Sequence, residues 1–84
     1  MQQVIATIGQ MGHVLAAGRK RAGLTQAQAA ARLGISQSRI STLERDSGAL
    51  TLDQLLALFG AYGLQLLVQD RPDNSLIEAN EAEW

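Results

Sequence analysis

Residues 25 to 45 contain two helix starts separated by a glycine, and this spacing constrains the fold more than any other feature of the chain. Thr25 is followed three residues later by Gln28, a capping box in which each side chain satisfies the other residue's free backbone amide. Ser36 supplies a second N-cap. Gly34 lies just before it and can take the left-handed conformation that ends the first of the two helices. Two short helices joined by so tight a turn must pack against each other at a steep angle. The first of them, over 25–33, carries Ala27, Ala29, Ala30 and Ala31, which favour helix and have little bulk, so that a second helix can cross closely at Ala30.

The flanking segments supply the body on which that pair would rest. Residues 9–22 place Met11, Val14, Leu15 and Gly18 at helical spacing, end in Arg19, Lys20 and Arg21 at the negative end of the helix dipole, and stop at Gly23. Gly9, Gly12 and Gly18 weaken this helix. Thr51 and Gln54 form another capping box, opening a fourth helix with Leu52, Leu55, Leu56, Phe59 and Tyr62 expected to face inward. After Gly63 the period changes to two: Leu64, Leu66 and Val68 alternate with Gln65 and Gln69, although Leu67 breaks the polar side. A strand is expected over 64–69. A lone strand needs a partner for its backbone groups, either the β-branched stretch from Val4 to Ile8 or a second copy of the chain. The second copy is the favoured partner, with Leu64, Leu66 and Val68 as dimer contacts. The expected fold is mainly α, four to five helices followed by a C-terminal strand pairing across a homodimer. The segment 1–8 is left without a role, the body spans 9–69, and 70–84 forms an acidic flexible tail.

Composition removes several function classes. With 84 residues the chain holds one small core. Cysteine is absent and His13 is the only histidine, so neither a disulfide framework nor a metal site is expected, and no cofactor is implied. No serine, histidine and acid are spaced as a triad, no glycine-rich phosphate loop follows a strand, and a chain this small hardly encloses a substrate; an enzyme is not expected. No apolar run approaches the roughly 20 residues that span a bilayer, and residues 1–22 lack the order of a signal peptide, which implies a soluble cytoplasmic protein. The formal charge of −1 conceals an asymmetry: residues 1–69 sum to +3 and residues 70–84 to −4.

The third helix carries the chemistry. With Gln37 as origin, Ser41, Arg45, Ser38 and Thr42 follow at about 40°, 80°, 100° and 140°, a continuous polar arc, while Ile40 and Leu43 occupy the opposite side. Glutamine pairs bidentately with the adenine edge in the major groove, and serine and threonine hydroxyls serve base or phosphate. Helix, tight glycine turn and helix with such an exposed face form the pattern of a DNA-binding helix-turn-helix. Arg39 sits on the flank of the arc, within reach of phosphate or only of water.

T-Q-A-Q-A-A-A-R-L-G-I-S-Q-S-R-I-S-T-L-E-R, residues 25–45, resembles the Cro/C1-type (Xre) helix-turn-helix family in its Thr-Gln opening, its central Ala and Gly, and its closing Leu-Glu. The resemblance implies that Gln26 contacts phosphate and that Gln37, Ser38 and Ser41 face bases. Ser36, Arg39, Thr42, Arg45 and Arg19 complete the candidate DNA-contact set, with Arg19 near the backbone. Four helices, a strand and an acidic tail ending E-A-E-W are similar to the HipB-type antitoxins of HipA-like serine/threonine kinases, over roughly residues 9–84. That likeness implies a nucleoid-associated prokaryotic repressor of its own operon, dimeric on palindromic double-stranded operator DNA, whose tail reaches the kinase through Trp84 with Glu81 and Glu83 beside it. Ser36 stands where the family often has a basic residue, so the operator sequence does not carry over. Two other functions fit the same residues: a self-sufficient repressor with an inert tail, and a protein-interaction module without DNA binding. Trp84 speaks against the first and the intact polar arc against the second.

Overall fold

The computed structural model describes residues 2–71. Four α-helices, α1 (Ile8–Arg21), α2 (Gln26–Leu33), α3 (Gln37–Arg45) and α4 (Leu52–Tyr62), follow one another, with a single 3-10 turn at Ser47–Ala49 between the last two. Each starts where its cap dictates. Thr25 and Thr51 form complete capping boxes with Gln28 and Gln54, and the Ser36 hydroxyl accepts from the Arg39 amide. Gly23, Gly34 and Gly63 all adopt positive φ at helix ends, a conformation that excludes most side chains.

The start of α1 departs from expectation. A third capping box, Thr7 with Gln10, begins the helix at Ile8 and leaves residues 2–7 without regular structure. The β-branched stretch from Val4 to Ile8 is therefore no strand: Ile8 is already helical.

Leu15, Ala29, Ala30, Ile40, Leu43, Leu58, Phe59 and Tyr62 form the core, with Leu24 closing it from the α1–α2 turn. α3 lies against α2 and α1, and α4 closes the other side of α1 and α2. Ala29 and Ala30 are buried at the crossing, as their small size requires. The inward face of α4 is rotated relative to expectation. Leu58 is buried beside Phe59 and Tyr62, Leu55 is half-buried, and Leu52 and Leu56 stay 63% and 49% exposed.

Two of the glycines counted against α1 turn out to be approach points. A Cβ on Gly12 would strike the Glu44 carbonyl of α3, and one on Gly18 would sit 2.8 Å from Leu64 Cδ1. Helix propensity is given up so that α3 and the segment after α4 can lie directly on the α1 backbone. Leu64 donates its amide to the Phe59 carbonyl at 2.8 Å and packs against the core. Its side chain is thus half-buried within its own chain. Among the described residues there is no strand: residues 64–71 run without regular structure, where the sequence predicts a strand over 64–69, and no other described segment forms a ladder with them. Leu66 and Val68 remain 46% and 94% exposed. The tail residues Glu81, Glu83 and Trp84 lie outside the described residues.

The glycines give opposite predictions. Gly12→Ala should destabilise the domain by about 1–3 kcal/mol, the usual cost of overpacking against atoms that cannot yield. Gly60→Ala, in α4 with open space around it, should stabilise by up to about 1 kcal/mol. Urea midpoints of the two variants, one on either side of the parent, check the assignment.

Candidate nucleic-acid interface

The surface of α3 is built on a polar clasp beneath it. Arg19, near the end of α1, is 8% exposed. Its Nε donates to Glu44 Oε2 at 2.7 Å and its Nη2 to Glu44 Oε1 at 3.1 Å, a bidentate pair, while Nη1 donates to the Leu24 carbonyl at 2.9 Å. Gln26, the first residue of α2, adds its side-chain amide to Glu44 Oε1 at 3.3 Å. One carboxylate thus ties together α1, the start of α2 and α3. The hydrogen bonds donated to Glu44 hold the Arg19 guanidinium above its ordinary pKa against the opposing effect of burial. Tyr62, buried nearby, is also raised, first by desolvation and then by the negative charge of Glu44.

This arrangement corrects one expectation. The sequence makes Arg19 a candidate DNA contact, yet each of its guanidinium nitrogens is engaged inside the protein and almost none of it reaches solvent. Glu44 is the residue that pattern reasoning passed over. A signal existed: at about 340° on the α3 wheel, between Ile40 and Gln37, an acid sits on the edge of the inward arc and requires a cation beneath it. Which member of Arg19, Lys20 and Arg21 supplies that cation is decided only by packing.

The remaining candidates divide by location. Gln37, Ser38 and Arg45 are exposed on α3, and Ser41 and Thr42 are half-buried on the same arc. Gln26 lies beside them at the start of α2, with part of its amide committed to Glu44. Ser36 is the α3 N-cap, and its hydroxyl lies 3.2 Å from that of Ser38. The Thr42 hydroxyl donates to the Ser38 carbonyl at 2.9 Å, and Arg45 Nε to the Ser41 carbonyl at 3.4 Å. Arg39 leans to the other side, with Nη2 3.5 Å from Gln54 Oε1 in the α4 capping box. The structure thus brings Gln26, Gln37, Ser38, Ser41, Thr42 and Arg45 to one side of the domain, removes Arg19 to the interior and sets Arg39 at the edge. No group of residues that would hold a metal ion occurs among the described residues, and no helix among them is long and apolar enough to cross a membrane.

The helix-turn-helix family model matches residues 15–68, which spans α1 to the segment after α4. The chain belongs to the Cro/C1-type helix-turn-helix family. Its fold is of HipB type. A chain of a HipA–HipB–O2–O3 complex superposes with a TM-score of 0.73 at 26% identity, covering 82% of this chain and 97% of that one. A chain of a HipB variant–O2 20mer complex gives 0.74 at 27% identity, over 83% and 97%. A chain of a HipB–O1–O2 complex gives 0.73 at 26%, over 82% and 100%. No curated protein matches this helix-turn-helix chain significantly in sequence.

The clasp yields a prediction that separates a structural arginine from a phosphate contact. Arg19→Met leaves Glu44 buried without its cation and should cost about 3–5 kcal/mol of stability. At a temperature where the variant is folded, the slope of log affinity for DNA against log salt should match the parent's. Loss of a phosphate contact would instead lower that slope by about 1.

Proposed function

We propose that this helix-turn-helix protein is a sequence-specific DNA-binding repressor that acts as the antitoxin of a HipA-like kinase and represses its own operon as a homodimer. The observation that carries the proposal is the outward arc of α3, where Gln37, Ser38, Ser41, Thr42 and Arg45 stand together on a helix anchored from below by Ile40, Leu43 and the Arg19–Glu44 pair. A short, rigid, polar helix set on a helix-turn-helix body suits the major groove, where Gln37 can match the adenine edge with both ends of its amide. Gln26, at the N-terminus of α2, is suited to phosphate. The likeness to HipB chains in complexes with O1, O2, O3 and HipA supports the choice of DNA and kinase as partners.

In this proposal a second copy pairs with residues 64–69, covering Leu66 and Val68, and the two α3 helices enter half-sites about 34 Å apart on one face of a palindrome. Titration of the parent and Gln37→Ala against an operator enriched from a randomised duplex pool and against random duplex, at one salt concentration, tests the DNA half. The variant should lose about 1–3 kcal/mol on the operator and little on random DNA. Equal losses on both would take Gln37 out of the base-reading set.

The antitoxin half assigns Trp84 as an aromatic anchor in the kinase, with Glu81 and Glu83 contributing steering. Deleting residues 81–84 should leave operator affinity intact and weaken kinase binding by about 2 kcal/mol or more. Trp84→Ala should lower kinase affinity at every salt concentration, whereas neutralising Glu81 and Glu83 should act mainly at low salt. If the truncated chain neutralises the kinase as well as the parent does, the tail is inert and the self-sufficient repressor is the better account.

A further inference from the structure

The hydroxyls of α3 differ in how much of their hydrogen-bonding capacity the protein already uses. A threonine hydroxyl has one proton to donate and two lone pairs to accept. At Thr42 the proton is directed to the Ser38 carbonyl, one turn back along α3, at 2.9 Å. In a helix that back-bond is what selects between the two common threonine rotamers, so it fixes Oγ1 as well as its proton. What Thr42 offers outward is therefore a pair of lone pairs with its methyl group beside them. Ser38 is different. Its Oγ lies 3.2 Å from Ser36 Oγ and either atom can donate, so Ser38 can present a donor or an acceptor as its surroundings require.

We infer that Thr42 is a specificity-determining residue that acts on the operator as a hydrogen-bond acceptor. In the major groove adenine N6 and cytosine N4 are donors, whereas guanine O6 and thymine O4 are acceptors. A lone-pair-only oxygen attracts the first two and leaves the second two facing unshared electrons without a proton between them. On the strand it faces, Thr42 thus selects an amino base over a keto base at one position of each half-site. Ser38, able to donate or accept, sets no such polarity, and Gln37 reads a different position through both ends of its amide. The inference rests on α3 being the groove-reading helix of the proposed function.

The test is selection of operator sequences from a randomised double-stranded pool by the full chain and by Thr42→Val, Thr42→Ser and Gln37→Ala, with thermal melts confirming that each variant is folded. Valine keeps the β-branch and the methyl group and removes the lone pairs; serine keeps the hydroxyl and removes the methyl. The parent should prefer adenine or cytosine at one half-site position by about fivefold, the worth of one hydrogen bond. Thr42→Val should lose that preference, Thr42→Ser should keep it, and Gln37→Ala should change a different position. A preference that survives in Thr42→Val, that is lost only in Thr42→Ser, or that favours keto bases overturns the acceptor assignment while leaving α3 as the reading helix. A parent that enriches no sequence, or whose enriched sequences are the same in the Gln37→Ala and Thr42→Val variants, overturns the groove reading and this inference with it.

Discussion

The Arg19–Glu44 pair is the constraint on which the other features depend. A carboxylate on the helix proposed to read DNA faces a doubly unfavourable setting, since burial penalises its charge and the DNA phosphates repel it. The bidentate guanidinium answers both: it satisfies both oxygens at 2.7 and 3.1 Å and cancels the charge. Because Arg19 also donates to the Leu24 carbonyl, the same group fixes the turn from which α2 begins. The start of α2 and the whole of α3 are thereby referred to one point. Lysine would not serve, because a single ammonium cannot match the carboxylate bidentately and hold the Leu24 carbonyl from a planar fork.

That geometry demands a close approach of α3 to α1, and Gly12 provides it. Its missing Cβ makes room for the Glu44 carbonyl, so the glycine and the ion pair are two parts of one solution: the backbone must come near for the side chains to meet. Gly18 does the same for Leu64, which brings the chain leaving α4 back over α1. α1, with three glycines in its length, is thus held by tertiary packing and by caps at both ends.

The features legible in the sequence were those settled within a few residues. Thr25, Ser36 and Thr51 marked helix starts, and Gly23 and Gly34 marked stops, because caps and left-handed turns are local chemistry. Thr7 with Gln10 was equally local, but the β-branched residues just before it suggested a strand and concealed the box. The α4 face differs for another reason: Leu52, Leu55, Leu56 and Leu58 spread over about 160° of the helix, wider than the arc that turns inward, so apolar periodicity alone does not choose between Leu58 at one edge and Leu52 and Leu56 at the other, and burial of Leu58 is decided by where α1 and α2 lie. Arg19 could not be separated from Lys20 and Arg21 without its partner, and Gly12 had no visible purpose until α3 was placed against it. At the candidate interface the polar arc was legible because side-chain direction follows from helix geometry. The direction of each hydroxyl proton was not, because it depends on which carbonyl lies behind it.

The charge distribution bears on why the proposed repressor would need two copies. Most DNA-binding affinity comes from phosphate neutralisation, and each contact made by Lys or Arg adds to it. Residues 1–69 sum to only +3, and Arg19, one of their cations, is withdrawn into the interior. The arc on α3 is made mainly of neutral amides and hydroxyls, which discriminate between bases but supply little attraction to the backbone. A single domain of this kind would be selective and weak. Joining two at a fixed spacing makes the second half-site an intramolecular encounter, which raises affinity without new charge. It also makes that affinity conditional on a palindrome of the right spacing, so the weakness of each half becomes part of the specificity of the whole. The exposed Leu66 and Val68, just beyond the last helix, are then the residues whose burial against a second copy would set the distance between the two reading helices.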